Sequence, residues 1–421
     1  MSKALIVSVG GTEDPVITAI VHHKPAFVCF FASQKSLDTI GTVKQKVCEK
    51  WPEAGYEDEK VVVNDQDEIT ACYSRALDCF DATHERGFGP QNRVADITGG
   101  TKAMSAALAI ALSERGGRLS YVGGKQRDKE GLGVVLPGHE RMRDSENPLS
   151  RYASEQKRRA AQFFNAHRYQ AAADTLDALP PETDPREAAV LKAVREAALG
   201  YALWDRFHHK EAVPKLKSAC NKLAEQHPLL GGDKRFIWHA KFADAVAQNL
   251  QQLQKLQQQT QDFKELHPML AADLAAGAKR RIESGAFDDA VARLYRVIEM
   301  LGQCEFERVF EMKTGEVDAA RLPEELREEY KRRYSDEKSG RLKLPLSAVF
   351  RALEAQDSDL GRKFAQESES LKGLLSARND SLLAHGVEPV KETTARKMLE
   401  LVRGWLPADA PVVQFPRWEL E

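Results

Sequence analysis

The chain changes character once along its length, and this change constrains the fold more than any other feature. Through about the first 145 residues, short apolar and β-branched runs alternate with stretches of helical spacing. That alternation is typical of a parallel sheet flanked by helices. After about residue 150 the strand pattern disappears and apolar residues recur at helical spacing. The sequence predicts an α/β Rossmann-like domain with strands at 4–9, 26–31, 60–63, 93–97 and 118–122, followed by all-α segments.

The helical part divides into two predicted domains. Residues 160–179 and 186–207 are alanine-rich and suggest packed helical hairpins. The glutamine-rich stretch 248–261 predicts a long polar helix bridging two domains, with a flexible linker as the alternative. A second helical domain begins at 266, and its core face carries Phe287, Val291, Leu294 and Ile298. The predicted domains are therefore 1–148, 149–265 and 266–421.

Net charge excludes one class of protein. The 421 residues include 61 basic and 63 acidic side chains, for a net charge of -2. The chain therefore lacks the broad positive field of a dedicated nucleic-acid binder. A local basic segment at 331–343 is best interpreted as a solvated helix face, with an RNA contact as the alternative.

Cysteine spacing and the N-terminal sequence bear on metals and location. The six cysteines show no CxxC spacing, so we predict reduced, mostly buried thiols and no metal site.

The N-terminus has the pattern of a strand and a glycine turn rather than of a signal peptide, and no run of 18 apolar residues occurs. We expect a cytoplasmic protein that does not contact a membrane.

Polar loops follow three of the predicted strands. In open α/β sheets, ligands bind beyond the carboxyl ends of the strands, so these loops predict one pocket. A tight strand-to-helix turn is the structural alternative for each loop. The candidate binding residues are Ser8, Gly10, Gly11 and Thr12 in the first loop, Ser33, Gln34 and Lys35 in the second, and Thr98, Gly99, Gly100, Thr101 and Lys102 in the third.

The third loop has the chemistry of an anion site. It lies between a strand and an alanine-rich helix, so its backbone amides should point into the first helical turn, where partial positive charge attracts anions. Gly99 and Gly100 permit close approach of a phosphate, and Lys102 adds a charge. Ala103 follows Lys102 where a Walker loop needs Ser or Thr, and neither loop has the GxGxxG spacing of a dinucleotide site.

Together, Ser-Val-Gly-Gly-Thr and Asp-Ile-Thr-Gly-Gly-Thr-Lys resemble the loops of the CARF domain, the CRISPR-associated Rossmann fold. The resemblance covers about the first 140 residues. It implies a homodimer whose two-fold axis passes through a pocket for a cyclic oligoadenylate. It places the residues of the first and third loops in that pocket. The resemblance is weaker for the residues of the second loop.

A second candidate site follows from helical geometry near the end of the chain. We predict a helix over 366–385 that Gly386 and Pro389 terminate. At about 100° per residue, five residues share one line along it, and two polar side chains thereby interrupt an apolar stripe. Burying an unpaired charge is costly, so this face should meet a partner or a substrate. A structural arginine with a capping histidine is the alternative. The five residues are Leu371, Leu375, Arg378, Leu382 and His385.

The segment from Ala377 to Gly386 resembles the HEPN ribonuclease motif, an arginine and a polar neighbour followed by a histidine. The resemblance implies an active site that takes one arginine and one histidine from each subunit of a homodimer. Arg378 would hold the phosphate and His385 would transfer the proton, while Asn379 would hold the phosphate or the imidazole. The 2′-hydroxyl of RNA would attack its own phosphate without a metal, leaving 2′,3′-cyclic phosphate and 5′-hydroxyl ends.

With the segments 288–299 and 385–390, both ends of the chain resemble CARF–HEPN ancillary ribonucleases of type III CRISPR systems. The implied function is cleavage of single-stranded RNA in antiviral defence, with a cyclic oligoadenylate as allosteric activator and no cofactor. Two alternatives remain. A CARF protein can degrade its own activator, and hydroxyls of Ser8, Thr12 and Thr98 with Lys102 suit such a reaction. A non-catalytic regulatory protein that binds a cyclic nucleotide is the other.

Overall fold

The computed structural model describes residues 2–124, 140–181, 183–336, 340–379, 381, 386–408, 410 and 413–420. The chain folds as two compact units. The first comprises Met1–Glu155 with Leu179–Glu187, and the second comprises Gln156–Ala178 with Ala188–Glu421. The sequence correctly predicted an α/β segment followed by helices.

The first unit is built on a sheet that has six strands within the described residues. The order is β3-β2-β1-β4-β5-β6, with every neighbouring pair parallel except β5 and β6. The five predicted strands are confirmed, with shifts of at most three residues at their ends. The strands are β1 Ala4–Val9, β2 Phe27–Ser33, β3 Glu57–Val63, β4 Arg93–Asp96, β5 Arg118–Gly124 and β6 Glu140–Ser145.

Helices cover both faces of this sheet. Side chains alternate along a strand, so β1 sends Ile6 to one face and Leu5 and Val7 to the other. The Ile6 face packs against α3 and α4, and the Leu5 face packs against α1 and α2. Burial on both faces explains why the central strands are continuously apolar. The helices are α1 Asp14–His23, α2 Leu37–Lys50, α3 Ile69–Glu85, α4 Lys102–Arg115 and the short α5 Pro148–Arg151.

The described regular elements of the second unit are helical. The predicted hairpin at 160–179 is divided between two helices, whereas 186–207 lies mostly in one. The helices are α6 Ser154–Asn165, α7 Tyr169–Asp177, α8 Pro185–Asp205, α9 His209–Leu230, α10 His239–Gln259, α11 Pro268–Glu283, α12 Phe287–Phe310, α13 Glu324–Tyr334, α14 Leu346–Ala355, α15 Asp359–Gln366, α16 Ser368–Asn379 and α17 Glu392–Arg403. None of the helices within the described ranges is long and apolar enough to cross a bilayer.

The glutamine-rich stretch is helical, and the linker alternative is wrong for its first twelve residues. Residues 248–259 form the last turns of α10, where Leu250, Leu253 and Leu256 are buried. Asn249 is buried as well, and its side-chain amide donates to the Tyr201 hydroxyl at 3.1 Å. The polar composition therefore belongs to the solvent face of an amphipathic helix.

An extended segment, 413–420, packs against the helices of the second unit. The Phe415 ring lies 4.5 Å from the Tyr201 ring, and the Arg280 guanidinium lies 3.9 Å from the Phe415 ring. The Asn165 side chain accepts from the Trp418 backbone amide at 2.8 Å and donates to the Trp418 carbonyl at 3.0 Å. Trp418 is almost fully buried. This segment completes an aromatic core that the sequence did not predict.

Candidate functional site

The first and third glycine loops are in direct contact. A side-chain carbon added to Gly99 would lie 2.1 Å from the Ser8 carbonyl oxygen, and one added to Gly10 would lie 2.8 Å from the Gly100 amide nitrogen. Separations under 3.0 Å are not tolerated between a side-chain carbon and backbone. The strand ends are therefore bridged by backbone alone, and only glycine fits at these two positions.

The third loop leads into α4 with a capped N-terminus. Thr101 is the N-cap, and its hydroxyl accepts from the Met104 amide at 3.3 Å. Gly100 has a φ of +76°, in the region that favours glycine. The remaining amides of the first turn lack partners within the helix, so this end attracts an anion. Lys102 is exposed beside it.

The predicted loop residues divide by exposure. Ser8 is fully buried and its hydroxyl donates to the Asp96 carbonyl at 3.1 Å. The Thr98 hydroxyl accepts from the Val122 amide at 2.7 Å. Ser33 is buried against Ser36. These three hydroxyls support the fold. The exposed side of the loops is formed by Gly11, Thr12, Gln34, Lys35 and Lys102.

A buried carboxylate supports the third loop, and sequence reasoning did not single it out. Asp96 Oδ1 accepts from the Thr98 amide at 3.0 Å, and Oδ2 accepts from the Ser120 hydroxyl at 2.8 Å. Burial raises the pKa of Asp96, while these hydrogen bonds oppose the rise. Asp96 therefore holds the first residues of the third loop through its hydrogen bond with the Thr98 amide. An acidic residue at the end of an apolar strand was the signal that could have revealed it.

At the second candidate site, the predicted helix 366–385 is too long. Helix α16 ends at Asn379, and Ser381 forms an isolated parallel bridge with Glu388. The Ser381 amide donates to the Arg378 carbonyl at 3.1 Å, and the Gly386 amide donates to the Ser381 carbonyl at 3.1 Å. The described contacts of Ser381 are therefore those of a turn and a bridge. Of the predicted stripe, Leu382 and His385 lie outside the described residues.

Arg378 lies against helix α12. Its guanidinium carbon is 4.4 Å from the centre of the Tyr295 ring, and Nη1 donates to Asn379 Oδ1 at 3.0 Å. Its Nε is buried and has no hydrogen-bond partner among the described residues. Leu371, two turns earlier, is buried as the stripe predicts. The arginine thus rests on an aromatic ring while part of its hydrogen-bonding capacity remains unused.

Two contacts made by α12 organise this region. The Val390 amide donates to Asp288 Oδ2 at 3.3 Å, which anchors the segment after Gly386 to the start of the helix. Burial, with the neighbouring Glu299 carboxylate, raises the pKa of Tyr295. The core residues Val291, Leu294 and Ile298 are buried as predicted. Sequence reasoning missed Tyr295, although it lies beside the predicted core positions.

Four basic residues of the segment 331–343 pair with acidic residues. Arg332 has no such pair among the described residues, and Lys338 lies outside them. Lys331 pairs with Glu328 at 2.8 Å, Arg333 with Glu329 at 3.0 Å and Lys343 with Asp336 at 2.5 Å. These contacts favour the interpretation of a solvated helix face. Neither candidate site contains a metal-binding cluster of histidine, cysteine and acidic groups in the described part of the chain.

Two family models match the helical part. A model described as the Csm6 6H domain matches residues 152–260, and one described as the Csm6 HEPN domain matches residues 241–407. Together they span more than half of the chain. No protein in the curated set matches it significantly.

A solved structure is similar to the whole chain, including the N-terminal part that the family models do not match. Csm6 of Enterococcus italicus, bound to cyclic hexa-2′-fluoro-hexa-dAMP, is similar over 98% of this chain and 96% of its own, with a TM-score of 0.60 and 12% identity. At that identity the likeness shows the fold. A type III CRISPR defence DNA nuclease activated by cyclic oligoadenylate and Can2 from Sulfobacillus thermosulfidooxidans with cyclic tetra-adenylate each cover 48% of this chain at 14% identity. The matched region is 33% of the DNA nuclease chain and 66% of the Can2 chain. Both TM-scores are 0.25, too low to support an argument.

Proposed function

We propose that this chain, which belongs to the Csm6 family of CARF–HEPN ancillary ribonucleases, cleaves single-stranded RNA when a cyclic oligoadenylate binds its N-terminal domain. The observation that carries this proposal is the position of Arg378 on Tyr295, within the matched HEPN region. A guanidinium with unused donors suits a phosphodiester, because it keeps its charge and offers planar bidentate contacts.

The chemistry requires three groups. The 2′-hydroxyl attacks the adjacent phosphorus, Arg378 stabilises the added negative charge, and His385 moves the proton to or from the reacting oxygens. Asn379, whose side chain contacts Arg378, holds the guanidinium or the phosphate in place. This reaction leaves 2′,3′-cyclic phosphate and 5′-hydroxyl ends and calls for no metal.

The activator site is proposed at the carboxyl edge of the sheet. The cyclic oligoadenylate would place its phosphates on the amides of the third loop and the N-terminus of α4, with Lys102 adding a charge. The first and second loops would contribute from the neighbouring strands β1 and β2. We propose a cytoplasmic homodimer in which both sites take residues from two copies, and domains at 1–148, 149–265 and 266–421.

Degradation of the activator by this chain is less well supported. The hydroxyls of Ser8 and Thr98 are engaged by backbone groups of the sheet, which leaves Thr12 and Lys102 from the set that suited such a reaction. A purely regulatory role is disfavoured because the charged Arg378 guanidinium lies on the Tyr295 ring and has no carboxylate partner among the described residues.

The proposal is tested by incubating the full chain with end-labelled single-stranded RNA and each cyclic oligoadenylate in turn, in the presence of chelator. We expect cleavage with one ring size, and products that carry 2′,3′-cyclic phosphate ends. RNA that stays intact with every ring size would contradict the proposed function.

Tyr295 provides a second test, because its ring positions Arg378. We expect Tyr295→Leu to slow activated cleavage by about 2- to 30-fold, the equivalent of a cation–π contact of about 0.5–2 kcal/mol. Tyr295→Phe keeps the ring and should remain within about twofold of the parent rate. The kcat and KM of both variants are measured beside their thermal unfolding. Equal losses in the two variants would show that the hydroxyl, and not the ring, matters.

A further inference from the structure

Two histidines and an aspartate meet at the end of α1. His22 Nε2 lies 3.8 Å from Asp144 Oδ2, and His23 Nε2 lies 3.6 Å from Asp144 Oδ1. One ligand atom from each of the three residues falls within 4.8 Å of the others, and no other such group occurs among the described residues. None of these residues belongs to either candidate site.

The fold brings these side chains together from distant parts of the sequence. His22 and His23 form the last turn of α1. Asp144 lies on the edge strand β6, directly opposite Ser120 of β5 in the antiparallel register. The Ser120 hydroxyl is 3.0 Å from His23 Nε2 and donates to Asp96 at 2.8 Å. Because the Ser120 hydroxyl donates to Asp96, His23 Nε2 donates in its contact with Ser120. Binding of an ion at Nε2 therefore requires this proton to move to Nδ1 and the ion to replace the hydrogen bond.

The spacing fits a transition-metal ion. Bonds of about 2.0–2.2 Å in a tetrahedral site place neighbouring ligand atoms roughly 3.4 Å apart. The separations of 3.6 and 3.8 Å run to different oxygens of Asp144. With one ligand atom taken from each residue, all three atoms lie within 4.8 Å of one another, so the side chains must close by up to about 1.4 Å around an ion. The side chains of His22 and Asp144 are 48% and 33% exposed, which gives an ion access, whereas that of His23 is 2% exposed.

The donor set selects the kind of ion. Two imidazoles and one carboxylate suit Zn²⁺, Co²⁺ or Ni²⁺, whereas Mg²⁺ and Ca²⁺ prefer oxygen ligands alone. Ser120 Oγ is near enough to His23 Nε2 to act as a fourth, weaker oxygen donor. The Asp96 carboxylate behind Ser120 adds a second negative charge to the surroundings.

We propose that His22, His23 and Asp144 bind one divalent transition-metal ion of the zinc class. His23 coordinates through Nε2 as a neutral imidazole that carries its proton on Nδ1. The ion joins the end of α1 to β6, so it holds this edge strand against the rest of the sheet. The proposal does not depend on the ribonuclease activity.

The test uses Co²⁺ as a spectroscopic probe on the full chain, freed of metal and carrying no polyhistidine tag. We expect one Co²⁺ per chain with the visible absorption of a low-coordinate site, displacement of that ion by Zn²⁺, and a rise in the unfolding temperature with Zn²⁺. His22→Ala and Asp144→Asn should each weaken binding by at least about tenfold. Both side chains are partly exposed, so the variants should fold, and circular dichroism checks this.

His84→Ala is the matched control, because His84 is an exposed histidine in the last turn of α3 and belongs to no such cluster among the described residues. It should bind Co²⁺ as tightly as the parent chain. Parent binding no tighter than that of Asp144→Asn, or a loss of binding in His84→Ala, would overturn the proposal.

Discussion

Replacing Arg378 by alanine should reduce activated RNA cleavage by about 100- to 1,000-fold, the usual effect of removing one preorganised donor to a transition-state oxyanion. The reason is specific to its surroundings. The guanidinium is held by the Tyr295 ring and by Asn379, and its Nε has no partner among the described residues. Its deletion would remove the contacts proposed for the phosphate. It would leave no carboxylate unpaired, because Arg378 has no carboxylate partner among the described residues.

Two further variants define what Arg378 supplies. Arg378→Lys keeps the charge but loses the planar fork, so its rate should fall between those of the parent and the alanine variant. Arg396→Ala removes an exposed arginine from an ion pair with Glu392 on α17 and should leave the rate unchanged. Single-turnover cleavage of labelled RNA with saturating activator measures all three. A parent-like rate for Arg378→Ala would reject its catalytic role.

Gly99→Ala should disrupt the activator site more than any other change of one methyl group in the loops. The added carbon would lie 2.1 Å from the Ser8 carbonyl oxygen, which is fixed in the central strand. The loop must therefore move, at a cost of about 1–3 kcal/mol for overpacking. If this free-energy cost is paid in the bound state, the affinity for the cyclic oligoadenylate should drop by about 5- to 150-fold.

Two measurements show whether the overpacking in Gly99→Ala weakens binding or folding. Calorimetric titration gives the affinity for the activator, and denaturant unfolding gives the free energy of unfolding. Gly41→Ala is the matched control, because a side-chain carbon there meets nothing within 4 Å. It lies on α2 and should be neutral or stabilising by up to about 1 kcal/mol. Unchanged affinity and stability in Gly99→Ala would show that the two loops are not packed as described.

Local sequence patterns predicted the central sheet but not its edge. The strands β1 and β2 are apolar and buried throughout because helices cover both faces, and this leaves a clear signal. Strand β6 has the sequence Glu-Arg-Met-Arg-Asp-Ser, which pairs with β5 through backbone hydrogen bonds and needs no apolar alternation. The site that includes Asp144 was therefore invisible, since His22 and His23 alone do not suggest a metal.

The proposed catalytic region shows a similar limit. Periodicity correctly placed Leu371 and Arg378 on one face, because helical geometry is local. It could not show that the helix ends at Asn379, because the competing contact joins Ser381 to Glu388 and the sequence contains no marker for that bridge. Tyr295 was missed for the same reason, since its contact with Arg378 depends on how two helices pack.

The segment 413–420 has a consequence for synthesis of the protein. It supplies Phe415 and Trp418 to a core whose other members include Phe164, Tyr201 and Phe242. A ribosome makes those helices well before the residues that complete their packing, and contacts so distant in sequence form late. We expect nascent or shortened chains to expose this aromatic surface and to be open to proteases. The helical unit would thus reach its final packing only once residues 413–420 have left the ribosome, which delays the appearance of a ribonuclease inside the cell that makes it.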